Sequence, residues 1–319
     1  MNPQRSALSR AAALGIIGGG ITAASLPASA QNLPVVRMGG QIIEPSAEPY
    51  YGDQAGIFVA NGIAPQVTTL GNGAAMVQAV AGGDLDAGLA NPLQLAIAMT
   101  RNIPVQAIAV ACIYTKAVAD MNFVVAKNSP IKAPKDLIGS TMGIGALGDF
   151  SQISLFAWLE ANGVPRTSVK FVELPVPQIG AALARNQIQG GFLVEPYKSE
   201  AVKAGLIRDF ADTFAAIAPE VATVMWFAST PWLQKNPDTA KKLVKSIYAI
   251  GDWANTHNAQ AAEILSKVTK IDLAALIRLQ RRLFATHFDP KYVENTLALA
   301  ARFGALQKPL SVSDFVPTV

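Results

Sequence analysis

Apolar and polar positions alternate in short blocks along residues 33–111, and these blocks predict strands and helices in turn. Short apolar runs are followed by stretches that end at glycine, a pattern typical of helices covering a parallel sheet. We predict strands over Val35–Met38, Ala64–Leu70, Asp86–Leu89 and Val105–Ala111, and helices over Pro49–Asn61, Gly73–Val80 and Pro92–Arg101. Asn91-Pro92 marks a helix start, because asparagine caps free amides and proline suits the first helical position.

A second alternating block begins near Asn122. It predicts strands over Phe123–Ala126, Thr141–Ile144, Val169–Leu174 and Gly190–Val194, and helices over Phe150–Asn162 and Ile179–Asn186. Val221–Ala228 is a further strand that could return the chain to the first block. The remaining sequence predicts helices over Pro231–Lys235, Ala240–Thr256, Ala259–Ser266, Leu273–Arg282 and Pro290–Phe303.

No low-complexity linker separates the two blocks. We therefore expect an α/β protein of two lobes, each a mostly parallel sheet with helices on both faces, joined by strands that cross between them. One lobe would comprise residues 31–121 with 224–319, and the other residues 122–223.

The first thirty residues differ in kind from the rest of the chain. Arg5 and Arg10 are their only charges, an apolar run follows from Ala11 to Leu26, and Ala28-Ser29-Ala30 comes next. This pattern predicts a Sec-type signal peptide cleaved near Ala30, and the apolar run is shorter than the roughly 20 residues of a membrane span. We expect the mature protein in the periplasm.

Charge and reactive side chains exclude several classes of function. Removing Arg5 and Arg10 from the 26 basic residues leaves 24 against 22 acidic ones, so no nucleic-acid partner is indicated. Cys112 is the only cysteine and lies in an apolar stretch, and His257 and His287 are the only histidines. Neither a zinc cluster nor a histidine-based triad can be assembled, and we predict no catalytic residue and no cofactor.

Three motifs occur in the order typical of one protein family. They are Gly73–Gly88 followed by Asn91-Pro92, then Lys135–Gly139 with the strand and helix after it, and then Gln187–Phe192 ending in Glu195-Pro196. Together they resemble the type II periplasmic solute-binding proteins of ABC importers for nitrate, sulfonate, taurine and thiamine pyrimidines, the NMT1-like family. The resemblance covers residues 34–230 and the tail Ser313–Pro317. It implies a ligand cleft between two lobes, a permease partner in the inner membrane and a monomeric protein.

Ligands of doubly wound sheets bind beyond the carboxyl ends of strands. In this sequence those ends are Gly39–Glu44, Ala90–Asn91, Ile113–Tyr114, Gly145–Ser151 and Val194–Tyr197. In and around these segments we predict ten ligand-binding residues: Gln41, Glu44, Tyr51, Asn91, Tyr114, Asp149, Phe150, Ser151, Glu195 and Tyr197. The acids favour an organic solute with a donor group, such as an aminosulfonate, a pyrimidine or an aromatic acid, over an inorganic anion.

Several of these residues have structural alternatives. Asp149 and Asn91 could cap helices, and Glu195 could have a structural role beside Pro196. Arg278, Arg281 and Arg282 are predicted on an exposed helix face, so no arginine is expected in the site.

Residues 143–148 match the dinucleotide pattern G-x-G-x-x-G, with Glu173 at the end of the next strand. An exported protein would meet little NAD, so a ligand loop is the preferred interpretation. Two other functions stay open: a periplasmic sensor that reports to a membrane receptor, and a pyrimidine-synthesising enzyme of the same fold. That enzyme class depends on a cysteine-rich segment and an active histidine, which this chain does not offer.

Overall fold

The computed structural model describes residues 33–118, 121–278 and 281–316, and two separate sheets organise them. The strands are β1 (Val35–Gly40), β2 (Ala64–Thr69), β3 (Ala87–Ala90), β4 (Val105–Thr115), β5 (Met121–Ala126), β6 (Thr141–Ile144), β7 (Lys170–Glu173), β8 (Gly190–Val194), β9 (Ile207–Ala211), β10 (Glu220–Ser229) and β11 (Leu283–Phe284). The predicted signal peptide, residues 1–30, lies outside the described residues.

Helices cover both sheets. They are α1 (Glu48–Gln54), α2 (Ile57–Ala60), α3 (Gly73–Gly82), α4 (Pro92–Thr100), α5 (Phe150–Ala161), α6 (Val176–Ala184), α7 (Tyr197–Lys203), α8 (Thr230–Lys235), α9 (Pro237–Thr256), α10 (Asn258–Thr269), α11 (Leu273–Ile277), α12 (Lys291–Arg302) and α13 (Val312–Phe315). Short 3-10 turns occupy Glu44–Ser46, Pro134–Leu137, Arg166–Ser168 and Phe214–Ala216. No helix in the described ranges is long and apolar enough to span a bilayer.

The first sheet has the strand order β11-β4-β10-β3-β1-β2, and the second has the order β7-β6-β8-β5-β9. In the first, β1 runs parallel to β2 and β3, whereas β10 runs antiparallel to β3 and β4. In the second, β6 runs parallel to β7 and β8, whereas β5 runs antiparallel to β8 and β9. Both sheets are therefore mixed, with the parallel strands that the βα alternation predicts and antiparallel strands where the chain crosses between sheets.

Most predicted elements are present, and the exceptions have local causes. The predicted helix 49–61 is divided into α1 and α2, because Gly56 adopts a left-handed conformation with φ of 70°. The predicted helix 273–282 ends at Ile277, and the chain then enters the short strand β11. Helix α7 and strand β9 were not predicted; β9 forms the edge of the second sheet against β5.

Five aromatic side chains form a cluster that joins the two sheets. Tyr114 of β4, Phe123 of β5, Phe150 of α5, Phe192 of β8 and Phe214 each keep less than a tenth of their surface exposed. Phe214 is central, with ring centroids 5.5 Å from Tyr114, 5.0 Å from Phe150 and 5.7 Å from Phe192. Burying such a side chain contributes roughly 1.5–3 kcal/mol, so this aromatic cluster is a major link between the sheets.

An acidic side chain is buried in the core of the first sheet. Glu48, the first residue of α1, has no exposed surface, and its Oε2 accepts a hydrogen bond from Nε1 of Trp226 on β10 at 2.5 Å. The other oxygen, Oε1, has no hydrogen-bond partner among the described residues. Burial raises the pKa of Glu48 to about 8, and the Trp226 hydrogen bond offsets only part of this rise. Glu48 is therefore mostly protonated at neutral pH.

Replacing Glu48 with glutamine should remove a pH dependence of stability. Between the ordinary glutamate pKa of 4.5 and about 8, the folded protein holds a proton that the unfolded chain loses. The free energy of unfolding therefore falls as pH rises through this window, by up to about 1.4 kcal/mol per pH unit. Glu48→Gln keeps an acceptor for Trp226, so we expect stability close to the wild type at pH 5 and higher than the wild type at pH 8.

Chemical denaturation at several pH values would measure this difference. The matched control is Glu263→Gln at an exposed position of α10, where the wild-type slope should persist. Equal slopes for Glu48→Gln and the wild type would contradict the assignment of a protonated Glu48.

Candidate ligand-binding cleft

A cavity of about 650 Å³ is bordered by elements of both sheets. Its walls are the segments that follow β1, β2 and β3, the start of α5, the segment that follows β7, and side chains of β8 and β10. These are mostly carboxyl ends of strands, where loops leave the sheet and side chains converge. The volume lies within the range of about 300–1,000 Å³ that is typical of sites for organic ligands.

Six of the ten predicted site residues border this cavity. They are Gln41, Asn91, Asp149, Phe150, Ser151 and Tyr197. The sequence analysis located three of these segments from the ends of predicted strands: those after β1, after β3 and at the start of α5. The structure places all three around the same cavity. The structure also places Tyr197 there, at the start of α7, with its hydroxyl 3.5 Å from the carbonyl oxygen of Ile42.

The other four predicted residues do not line the cavity. Glu44 is fully buried, and its Oε1 accepts a hydrogen bond from Nε of Arg281 at 2.5 Å. Tyr51 is also fully buried, and its hydroxyl accepts a hydrogen bond from the Arg281 guanidinium at 3.1 Å. Tyr114 is fully buried, and its hydroxyl donates to Asp212 at 2.6 Å. Each of these side chains therefore bonds to another side chain of the protein and does not line the cavity.

Glu195 is the fourth predicted site residue that does not line the cavity. Its two carboxylate oxygens accept hydrogen bonds from the backbone amide of Ser199 at 3.1 Å and from the Ser199 hydroxyl at 3.0 Å. It thus holds the first turn of α7, next to the cis peptide bond that joins it to Pro196. Glu195 therefore has the structural role beside Pro196 that we gave as the alternative to ligand binding.

Asn91 and Asp149 connect the two sides of the cleft. Asn91 caps α4, since its Oδ1 accepts a hydrogen bond from the Gln94 amide at 2.9 Å, and its Nδ2 donates to Oδ1 of Asp149 at 2.5 Å. Asp149 in turn caps α5, because the same Oδ1 accepts from the Phe150 amide. The capping residue of α4, which follows β3 of the first sheet, is therefore hydrogen-bonded to the capping residue of α5, which follows β6 of the second sheet.

The surroundings of Asp149 favour the protonated form of its carboxyl group. Burial raises the pKa of its carboxyl to about 6, and the hydrogen bond from the Phe150 amide opposes this rise. At pH 7 the group is still mostly ionised. Its oxygen Oδ2 accepts no hydrogen bond from the described residues, and it lies beside Gly145, which also lines the cavity.

The structure corrects the prediction that no arginine enters the site. Arg282 lines the cavity, is only 3% exposed and donates a hydrogen bond from Nη1 to Thr223 Oγ1 on β10. Arg281, beside it, is paired with Glu44. Neither arginine lies on a helix, because α11 ends at Ile277 and both arginines directly precede β11. The sequence gives no signal for this early helix end, since the arginines continue the polar spacing of the preceding helix.

The G-x-G-x-x-G segment has structural roles here. Gly143 lies inside β6, where an added Cβ would come within 2.6 Å of the Ile188 side chain. Gly148 adopts a left-handed conformation with φ of 72° at the turn into α5. The Glu173 carboxylate accepts a hydrogen bond from the Leu147 amide at 2.6 Å, so it stabilises the loop at the position where a dinucleotide site would use it for ribose.

Comparison with known proteins identifies a family and a curated relative that match this chain in sequence. Residues 45–261 match the family model described as NMT1/THI5 like. The taurine-binding periplasmic protein of Escherichia coli is 26% identical over 175 residues, which cover 55% of this chain and 52% of that protein. The match therefore spans about half the length of this curated relative.

Solved structures match over most of the chain. The periplasmic aliphatic sulphonate binding protein SsuA of Escherichia coli has a TM-score of 0.74 at 17% identity, covering 89% of this chain and 98% of that one. The desulfurization enzyme DSZB has a TM-score of 0.64 at 16% identity, covering 89% of this chain and 96% of that one. These likenesses establish the two-lobed periplasmic binding protein fold, which binding proteins share with at least one enzyme.

Substituting Asn91 with aspartate should weaken the contact across the cleft. Asn91→Asp keeps a cap for α4 but places a second carboxylate against Asp149, so one of the two carboxyl groups must take up a proton or the pair must separate. We expect the free energy of unfolding at pH 8 to fall by on the order of 1–3 kcal/mol, and the upper pKa of the carboxyl pair to rise above that of Asp149 in the wild type.

Urea denaturation and NMR titration would measure these two quantities. The control is Asn72→Asp at the cap of α3, where the Asn72 side chain accepts from the Ala75 amide. This change should alter stability by less than about 0.5 kcal/mol. An equal loss in both variants would show that the Asn91–Asp149 hydrogen bond contributes little.

Proposed function

The chain belongs to the NMT1/THI5-like family, and we propose that it is the periplasmic substrate-binding component of an ABC importer for a small polar organic solute or anion. Taurine and sulfonates, which its relatives are named for, belong to this class, as do nitrate and pyrimidine-like molecules. The observation that carries the proposal is the cavity of about 650 Å³ bordered by both sheets and linked across by Asn91 and Asp149. A cleft between two lobes that can close on a ligand would suit capture and release without chemical change.

In this proposal the lobes are residues 31–121 with 224–319, and residues 122–223. The first contains β1 to β4, β11 and residues 224–229 of β10, and the second contains β6 to β9 and all of β5 except Met121, so the chain crosses between sheets after β4 and near the start of β10. Closing these lobes would surround a ligand with polar groups from both. A few hydrogen bonds at about 0.5–1.5 kcal/mol each, together with burial of apolar surface, can provide the roughly 8 kcal/mol of micromolar affinity.

The cellular context follows from the same proposal. Residues 1–30 would direct export and be removed near Ala30, and the mature monomer would deliver its ligand to an inner-membrane permease. Fractionation of cells that express the full chain tests the location, with the processed form expected in the periplasmic fraction.

An enzymatic function is the alternative that the DSZB likeness raises. Among the described residues, neither histidine nor cysteine lines the cavity. Cys112 has no exposed surface, and its thiol donates to the Pro45 carbonyl oxygen at 3.3 Å. The lining thus offers no thiol or imidazole for nucleophilic or general-base chemistry, which favours binding over catalysis. A sensor that reports to a membrane receptor would use the same cleft, and ligand uptake by cells separates it from an importer.

A thermal-shift screen of the mature protein, from Gln31 onward, tests the proposed function. We expect at least one member of a panel of sulfonates, taurine, nitrate, pyrimidines, amino compounds and aromatic acids to raise the melting temperature. A ligand present at a hundred times its Kd adds about 2.7 kcal/mol of stability.

Two variants test whether a ligand that raises the melting temperature binds in the cleft. Ala146 lines the cavity, so Ala146→Trp should fill it and abolish the shift. Ala204 is exposed at the end of α7, and Ala204→Trp should leave the shift intact. A shift that survives Ala146→Trp would move binding away from this cleft, and a panel without any hit would contradict the proposed function.

A further inference from the structure

The walls of the cavity are largely apolar. Phe150, Phe192 and Phe214, three members of the aromatic cluster, belong to its lining, and so do Leu174 and Val176 after β7. Apolar walls gain free energy when hydrocarbon displaces water from them, and aromatic rings pack well against one another. The volume of about 650 Å³ leaves room for a ring. The lining therefore favours a ligand with an apolar, ring-sized body.

Two carboxylates flank one loop of the cavity wall. This loop, residues 145–148, follows β6, and Glu173 is the last residue of the neighbouring strand β7. The Glu173 carboxylate accepts a hydrogen bond from the Leu147 amide in the loop at 2.6 Å, and Asp149 directly follows the loop. Both acids line the cavity. This part of the cavity wall is therefore acidic.

Asp149 has one oxygen atom that the described residues leave without a donor. Its Oδ1 accepts the Phe150 amide and the Asn91 side-chain amide, whereas Oδ2 accepts no hydrogen bond from them. Oδ2 lies 3.8 Å from the position that a Cβ on Gly145 would take, and a methyl group of Val176 lies 3.7 Å from that same position. Because Asp149, Gly145 and Val176 all line the cavity, an unused acceptor and an apolar side chain border the same part of it.

Ser151 contributes a second polar atom without a partner. It lines the cavity with 1% of its surface exposed, and its Oγ has no hydrogen-bond partner in the part of the chain that the structure describes. A buried hydroxyl without a partner is unfavourable, because it has lost its hydrogen bonds to water. A ligand that donates hydrogen bonds at the start of α5 would provide this partner.

The acids distinguish the start of α5 from an anion site. Helix N-termini attract negative groups, but here the Asp149 carboxylate itself accepts the first free amide of the helix. An anionic ligand would meet like charges on Asp149 and Glu173, which disfavours its binding. A protonated amine would be attracted by both acids and could donate the hydrogen bond that Asp149 Oδ2 does not receive from the protein.

We propose that the ligand of this cleft is a protonated organic amine with an apolar, ring-sized body, whose N–H groups bond to Asp149 Oδ2 and Ser151 Oγ. This inference rests on the proposed function and narrows its substrate class from polar solutes and anions to organic cations. The body of the ligand lies against the aromatic cluster and Val176. Arg282 also lines the cavity, where it donates to Thr223, and the ligand needs no acidic group to bond to it.

Isothermal titration calorimetry with ring compounds that differ in one group tests this substrate class. The probe is benzylamine, and its comparators are benzyl alcohol, which is neutral, and benzoate, which is an anion. Taurine and nitrate are further comparators without a ring. We expect benzylamine to bind more tightly than each comparator by roughly tenfold or more, because only benzylamine combines a ring with an ammonium group and carries no negative charge.

Asp149→Asn isolates the contact with the amine. Asparagine can still accept the Phe150 amide through its Oδ1, so the fold should persist, which thermal unfolding would verify. The advantage of benzylamine over benzyl alcohol should fall to less than about threefold. The control is Asp238→Asn, which removes the same charge from an exposed position in the first turn of α9 and should leave that advantage unchanged.

Ser151→Ala isolates the second contact. The change breaks no side-chain hydrogen bond among the described residues, so the melting temperature of the ligand-free protein should not fall, whereas the affinity for benzylamine should fall by roughly threefold or more. The control is Ser154→Ala, one turn further along α5. The buried Ser154 hydroxyl is hydrogen-bonded to Thr213 at 2.8 Å and does not line the cavity, so this change should lower the melting temperature and leave the affinity unchanged.

The outcomes separate this inference from the proposed function. If benzoate, taurine or nitrate binds as tightly as benzylamine, or if Asp149→Asn preserves the advantage of the amine, the substrate class is wrong while the binding function stands. Unchanged affinity in Ser151→Ala contradicts the contact with its hydroxyl. If the wild type binds none of these compounds and none of the broader panel, both the inference and the proposed function are contradicted.

Discussion

The antiparallel pairing of β4 with β10 extends from Thr115 opposite Glu220 to Val105 opposite Ser229. Residues on these two strands position groups in the core and at the cavity: Thr223 binds Arg282, Trp226 binds Glu48, and Tyr114 packs against Phe214 within the aromatic cluster. Because both strands lie in the middle of the first sheet, their positions are fixed by ladders on each side. The chain passes between the sheets directly beyond their ends, so the same ladder sets where the second sheet can lie.

The core beside the first sheet contains buried polar and charged groups that do not line the cavity. Glu44 pairs with Arg281, Tyr51 accepts from the same guanidinium, and Glu48 stays protonated beside Trp226. Each would cost several kcal/mol if left unpaired, so the pairing constrains how the segment before α1 packs against the turn before β11. This arrangement brings Arg282 to the cleft, because its neighbour Arg281 is held within the core.

Two helix-capping residues supply polar groups to the wall of the cavity. Asn91 and Asp149 each satisfy their own helix and also bond to one another, so residues that hold the fold together also form the polar end of the cavity. Burial at this position also raises the pKa of Asp149 to about 6.

Sequence periodicity and turn residues determined most strands and helices of the described chain, because amphipathic spacing and capping residues act over a few positions. They also located the strand ends that carry Gln41, Asn91 and the segment 149–151, since cleft position follows from strand order in this fold. Which side chains face the cavity was decided only by tertiary packing: Glu44 and Tyr114 lie within the predicted segments and Tyr51 near them, but all three bond to partners far along the chain. Arg282 entered the cleft for the same reason, because Glu44 and Thr223, which fix the arginine pair, are separated from it by long stretches of sequence that no local pattern connects.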